Sequence, residues 1–426
     1  MSNISKLMMQ AASGASGGSV DAFVYYFADT DIQSVRGMLA DSSGNHYALC
    51  SRPSSGGHIL LKVDGSGTVV GTTTGSQDIT WNKAFMALSP DESEILYLPL
   101  QVVLGGFDTL TATNNYWKYI NTSAYYGGSF GGDPLYSGTS PVVSSQAYST
   151  SVSTSWTNPH VTKLNSDLTF NSRKFLCPNG QTSYDGPYGN AAASDASGNM
   201  YVYTPVPSQS VGAIWKLDTT CTPVWAISSS FTHVYYSLDA DSDGNVYIAY
   251  HDSTYLYVEK FNSSGVSQWR KGYTNFGTGT NVPKSSRVIG DHYVIASEYN
   301  PGVKLLSVST SDGTPEWHLR LHDQTSGADT LYSKMYVGLY KHPTENGLTI
   351  STGRMGIQLP VDGSVTGVYA LTGGNLTISS LTLPTPSSFS TPFSTYAGYT
   401  RDDTTFLSSN SSTTTSVITD PIATDL

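Results

Sequence analysis

The chain has 426 residues, a mass of 45.5 kDa and a formal charge of -11 from 21 basic and 32 acidic side chains. Only 12% of its residues are charged, against about 25% in ordinary globular chains, and Ser plus Thr fill about a quarter of it. An aromatic content of 12% with 29 Tyr argues against disorder, the lack of any Lys/Arg block excludes a nucleic-acid surface, and no apolar run of 18 residues exists for membrane insertion.

Residues 1–20 read as an arm. Ile4, Leu7 and Met8 fall at i, i+3 and i+4, the spacing of a single apolar helical face. AASGASGG then has flexible-linker composition. The apolar stretch is too short for a signal-peptide core. The expectation is an anchoring arm that docks on a partner protein through Ile4, Leu7 and Met8. Gly14, Ser16 and Gly18 match the letters of a nucleophile elbow, but with no strand before them and no helix after them they carry no such role.

From DAFVYYFAD (21–29) onward the pattern is period two, in short Val/Ile/Tyr/Thr runs between Gly, Asn and Asp turns, and reads as strands. One unit recurs. Its first half is strand, Asp/Gly/Asn turn, strand: LADSSGNHYALC (39–50), ASDASGNMYVYT (193–204) and LDADSDGNVYIAY (238–250). Asn and Gly tolerate the positive φ that hairpin turns require. Its second half is a strand ending in Lys, a turn, and a strand that often carries Trp: HILLKVDGSGTVV (58–70), HVTKLNSDLTF (160–170), AIWKLDTTCTPVW (213–225) and YVEKFNSSGVSQW (257–269). Four strands per period of about 40–50 residues is the spacing of a β-propeller blade.

Looser copies extend the series to six blades between about Gln33 and Leu383. MALSPDESEILYLPL (86–100) pairs with the 160–170 half, which leaves 101–159 as an aromatic-rich insertion inside blade 2. The last copy joins 338–353 to 367–379. A seventh blade assembles across the termini, from strands near 394–409 and 413–420 with the strand near Val24–Phe27 lying beside Val417. Such closure removes exposed sheet edges. The fold class expected is all-β, a single seven-bladed β-propeller, six blades being the alternative. Residues 1–20 are the arm and 21–426 the propeller.

Within the insertion, Tyr116, Trp117, Tyr119, Tyr125 and Tyr126 lie among Gly, Ser and Asn. Rigid aromatics amid small polar residues supply contact area at low entropic cost, so these five are the candidate binding residues. Burial in a small core of the insertion's own is the competing explanation.

Other motifs carry less. Asp239, Asp241 and Asp243 match the start of a calcium loop, but the twelfth-position Glu is replaced by Tyr250 and the sister turns keep one Asp each, Asp41 and Asp195. Turn chemistry explains them better. His318 and His322 sit in a strand-like run, about 13 Å apart on one face. No catalytic group, metal site or cofactor is nominated, and the chain reads as non-enzymatic. Cys50, Cys177 and Cys221 have no metal spacing and read as small buried residues.

The units ADSSGNHYAL, SDASGNMYVY and DSDGNVYIAY, followed by KVDGSG, KLNSDL or KFNSSG, resemble the bacterial seven-bladed propeller repeats known as SBBP, over about 85% of the chain. The opening MSNISKLMM with its Gly/Ala/Ser arm resembles the starts of virion proteins of marine tailed bacteriophages. That resemblance implies a virion structural protein, located in the virion in multiple copies, held by its arm to other virion proteins and exposed to a host-surface receptor. Tail-associated adhesion, with a glycan as the receptor, is the expectation; capsid decoration and a propeller glycoside hydrolase are the alternatives.

Overall fold

The computed structural model describes residues 4–8, 20–27, 31–52, 57–75, 85–100, 103–111, 113–119, 135–148, 157–166, 170–177, 191–206, 211–229, 236–252, 254–274, 283–298, 302–323, 337–344, 346–371, 374–395 and 399–402. All regular elements among them are strands, in seven antiparallel sheets. Blade 1 runs Ser34–Ala40, His46–Ser51, His58–Val63, Val69–Gly75 from the channel outward. Blade 2 is Phe85–Leu88, Glu94–Leu100, Val103–Asp108, Thr113–Tyr119. Blade 3 is Leu135–Ser137, Ser140–Tyr148, Thr157–Leu164, Phe170–Cys177. Blade 4 is Ala191–Ser194, Met200–Val206, Val211–Leu217, Pro223–Ser229. Blade 5 is Tyr236–Ala240, Val246–His251, Leu256–Phe261, Ser267–Tyr273. Blade 6 is Pro283–Ile289, His292–Glu298, Val303–Ser309, Pro315–Asp323. Blade 7 begins with Val337–Lys341, Gly347–Thr352 and Met355–Pro360.

Four expectations are corrected, the last of them in the C-terminal chain. Residues 101–159 are not an insertion within one blade: they hold the outer half of blade 2 and much of the inner half of blade 3. That half-blade pair lacks the Asp-Gly-Asn turn, and Val103–Asp108 lacks the strand-ending Lys, so its strands were invisible to the repeat. Blade 7 is not assembled from both termini. Its fourth strand is Phe23–Phe27, paired with Met355–Gln358, while the Val417 region lies outside the described residues. Third, Ile4–Met8 is a strand rather than a helical face. It pairs antiparallel with Phe23–Phe27, as the outermost strand of blade 7. A five-residue run beside an open sheet edge gains ladder hydrogen bonds that an isolated helical turn cannot match.

Phe23–Phe27 closes the ring. Phe23, Tyr25 and Phe27 pack on Val35, Met38 and Leu61 of blade 1. Val24 and Tyr26 pack with Ile350, Ile357 and their neighbours on the other face. A strand buried on both faces staples blade 7 to blade 1.

The C-terminal chain forms a belt. Gly367–Leu371 and Gly374–Ser380 add a hairpin outside blade 6, although 367–379 was expected as the outer half of the sixth unit in the sequence, next to 338–353. The chain then runs backward around the ring. Pro386–Ser388 pairs with blade 5, Phe393–Thr395 with blade 4 and Tyr399–Asp402 with blade 3. Five of the seven blades thus have their outer edge covered by the chain's own terminal segments. Among the described residues, no strand pairs with the outer edge of blade 1 or blade 2.

Candidate functional site

The repeat letters resolve into one bonding pattern. In the turn of blade 5, Asp241 accepts hydrogen bonds from the Asn245 amide at 2.8 Å, Asn245 Nδ2 at 2.7 Å and Tyr247 OH at 3.1 Å. Asp195 with Asn199 and Tyr201 in blade 4, and Asp41 with Asn45 and Tyr47 in blade 1, repeat it. The second half of each unit clasps the next blade. Lys62, Lys163, Lys216 and Lys260 donate to the backbone carbonyls of Thr109, Thr219, Ser263 and Thr310, each one blade further on. Lys216 and Lys260 also lie 5.4 and 5.2 Å over the rings of Tyr201 and Tyr247. Trp225, Trp269 and Trp317 donate to Ser263, Thr310 and Val361 in the same direction. Gly363, at φ +66, seats Trp317: a Cβ there would lie 2.5 Å from the indole. The Trp residues are therefore blade-to-blade packing, as their position in the unit suggests.

Asp239, Asp241 and Asp243 do not converge. Asp241 is held in its turn, whereas Asp239 reaches across to blade 6, where its Oδ2 accepts the Val288 amide at 2.8 Å. Among the described residues no group of three His, Cys, Asp or Glu side chains could hold a metal ion. Asp239 belongs instead to a charged patch on the innermost strands. Burial pushes its carboxyl pKa upward, against the opposing effects of Arg287, the Val288 amide and Lys341. The Arg287 guanidinium lies 5.6 Å over Tyr340 of blade 7. This patch ties blades 5, 6 and 7 together beside the channel.

A second charged site holds the belt. Glu259 is fully buried in blade 5. It accepts from Ser267 Oγ at 2.8 Å and lies 3.9 Å from Arg270 Nε. The Arg270 guanidinium stacks 4.2 Å from the Tyr257 ring centre and donates to Ser390 O at 2.7 Å. Phe389 packs against Tyr255 and Tyr257, and Phe393 against Phe261 and Tyr250. Sequence reading missed this latch. Its signal was there: Glu259 and Arg270 are charged residues in two strands of one hairpin, and they face each other in register.

Burial raises the Glu259 pKa above the usual carboxylate value, outweighing hydrogen bonds from Thr391 and Ser267 and the charge of Arg270. The folded state therefore holds this proton more tightly than the unfolded chain, whose Glu titrates near about 4.3. The stabilisation is full below the unfolded pKa and is lost as pH rises through the folded one. Glu259→Gln should remove that decline and match or exceed the wild type at neutral pH. Glu259→Ala, which leaves a buried void and takes away the acceptor of Ser267 Oγ, should cost about 3 kcal/mol. Denaturant midpoints across this range check it; a Gln variant with an unchanged pH slope contradicts it.

The sequence-nominated binding residues separate. Tyr116, Trp117 and Tyr119 lie on Thr113–Tyr119, the outermost strand of blade 2, in register with Gly106, Gly105 and Val103. Tyr125 and Tyr126 lie outside the described residues. Ile4, Leu7 and Met8 lie on the outermost strand of blade 7. Cys50 and Cys221 are buried free thiols.

No protein-family model and no curated protein matches the chain. Among solved structures it is similar to BamB from Moraxella catarrhalis, with 12% identity and a TM-score of 0.48, covering 84% of this chain and 98% of that one. By its own strand pairing the chain is an all-β, seven-bladed β-propeller.

Proposed function

We propose that this propeller is a non-enzymatic structural protein of a bacteriophage particle, tail-associated, that presents its rim to a host-surface glycan. The observation that supports this reading is the asymmetry of the rim. The chain's terminal segments cover the outer edges of blades 3 to 7, while those of blades 1 and 2 stay without a described partner strand. The blade 2 edge carries Tyr116, Trp117 and Tyr119. Extended edges capture partners by strand addition, and aromatic residues are favoured anchors at binding surfaces. In the repeats, Asp41, Asp195 and Asp241 fix turns, a role that suits a scaffold. Ile4, Leu7 and Met8, on the outermost strand of blade 7, are the residues proposed to engage a neighbouring virion subunit.

Two measurements test the proposal. Labelled antibody against the protein should decorate the tails of purified particles; labelling of capsids alone would favour decoration, and absence from particles would refute the virion reading. Purified protein carrying Tyr116→Ala, Trp117→Ala and Tyr119→Ala should bind host cells at least tenfold more weakly than wild type, while remaining folded by circular dichroism. Equal binding removes the adhesion role from this edge.

A further inference from the structure

The C-terminal belt advances around the ring in a regular way. Tyr273, the last residue of the fourth strand of blade 5, is opposite Pro386. Ser229, the last of blade 4, is opposite Phe393, and Cys177, the last of blade 3, is opposite Tyr399. The steps from blade 5 to 4 and from 4 to 3 therefore take seven and six residues. Each leads to the preceding blade and meets the C-terminal end of the strand it joins. The cause is geometric. Every outer strand offers a row of backbone amides and carbonyls, and radial repetition presents equivalent strand ends at a recurring spacing.

The last described step ends at Asp402, on blade 3. Blade 2 is next in the same direction, and its fourth strand, Thr113–Tyr119, has no described partner on its outer side. The sequence runs on from 403 to 426, beyond the described residues. One more step of six or seven residues from Tyr399 brings Thr405 or Phe406 opposite Tyr119, the last residue of blade 2. The side chains in that stretch suit a strand: Thr404, Thr405, Phe406 and Leu407 stand together, and 404–409 contains no charge, Gly or Pro. The earlier part of the belt is also fixed by aromatic residues. Phe389 packs on Tyr255 and Tyr257, and Phe393 on Tyr250 and Phe261. Phe406 is the first aromatic residue after Tyr399.

We propose that residues 403–409 carry the belt one blade further and pair antiparallel with the C-terminal end of Thr113–Tyr119. The occupant of the blade 2 edge is then the chain's own terminus. This inference stands apart from the virion and glycan reading. With both in place, an outside partner that adds a strand at blade 2 has to displace this segment first.

Amide hydrogen exchange on the full chain, followed by mass spectrometry of the peptide covering Thr113–Tyr119, tests the proposal. Ladder amides exchange only when the ladder opens, whereas free edge amides exchange readily. The double variant Phe406→Pro with Leu407→Pro breaks the new ladder. Inward and outward donors alternate along an antiparallel strand, so one of two adjacent prolines removes an inward amide. Exchange over Thr113–Tyr119 should become at least tenfold faster in this variant. Truncation after Asp402 should have the same effect, and truncation after Asn410 should have none. Ser267–Tyr273, held by Pro386–Ser388, should be unchanged in every form. If the chain truncated after Asp402 fails to fold, the double-proline variant decides. Equal exchange of Thr113–Tyr119 in wild type and in the double-proline variant overturns the proposal. So does protection that is lost on truncation after Asn410. Protection that appears only at concentrations where sedimentation shows a dimer assigns the edge to a second copy's terminus, and likewise overturns it.

Discussion

Deleting residues 1–29 should leave no folded protein. The lost strand Phe23–Phe27 is buried at every position, and each large apolar side chain contributes about 1.5–3 kcal/mol on full burial. Five of them give on the order of 10 kcal/mol, comparable with the whole stability of a typical domain, about 5–15 kcal/mol. The loss also has a geometric side. Val24 is paired with Ile357, and Phe27 donates to Arg354 O at 3.0 Å, so removing the strand bares the edge of Met355–Pro360 for aggregation. Deleting only residues 1–9 removes the outermost strand and should leave a cooperatively folding propeller. Soluble yield and circular dichroism separate the two. A soluble, native-like product lacking residues 1–29 would show that blade 7 closes by another route.

Asp241→Ala should be the most damaging single change in the repeat turns, at roughly 3 kcal/mol. It removes an acceptor for the Asn245 amide, for Asn245 Nδ2 and for Tyr247 OH. Each hydrogen bond is worth about 1 kcal/mol net, and an orphaned buried hydroxyl costs about 1–3 kcal/mol more. Tyr247 is fully buried, with its ring 5.2 Å from Lys260 Nζ and 6.3 Å from the Trp269 ring. The damage should therefore spread to the clasp on blade 6, where both of those residues bond Thr310 O. Asp241→Asn keeps one carbonyl acceptor for the turn amides and should lose about 1 kcal/mol. Denaturant midpoints of the two variants measure the difference. Adding calcium or a chelator should leave the wild-type midpoint where it is, since the carboxylate already binds its own turn. A calcium-dependent shift abolished by Asp241→Ala would restore the calcium-loop interpretation.

The sequence by itself determined the blade unit. Local chemistry is sufficient for it: Asp-Gly-Asn turns, alternating Val and Tyr, and the Lys and Trp of the second half are each tied to residues a few positions away or one unit on. The regular units of blades 1, 4 and 5 were legible for that reason, as was the packing role of Trp225 and Trp269. Blade 2's outer half and blade 3's inner half were not, because Val103–Asp108 and Ser140–Tyr148 keep strand geometry through long-range pairing without the repeat's turn residues. Only the tertiary structure decided how the ring closes and where the terminal segments go. Phe23–Phe27 meets Met355–Gln358 across more than 300 residues, and the belt selects its blades by edge pairing and by pockets such as the one around Phe389. A backbone edge offers the same hydrogen-bonding groups whatever its side chains, so the sequence of an edge strand does not name its partner; the shape and register of the assembled sheets do.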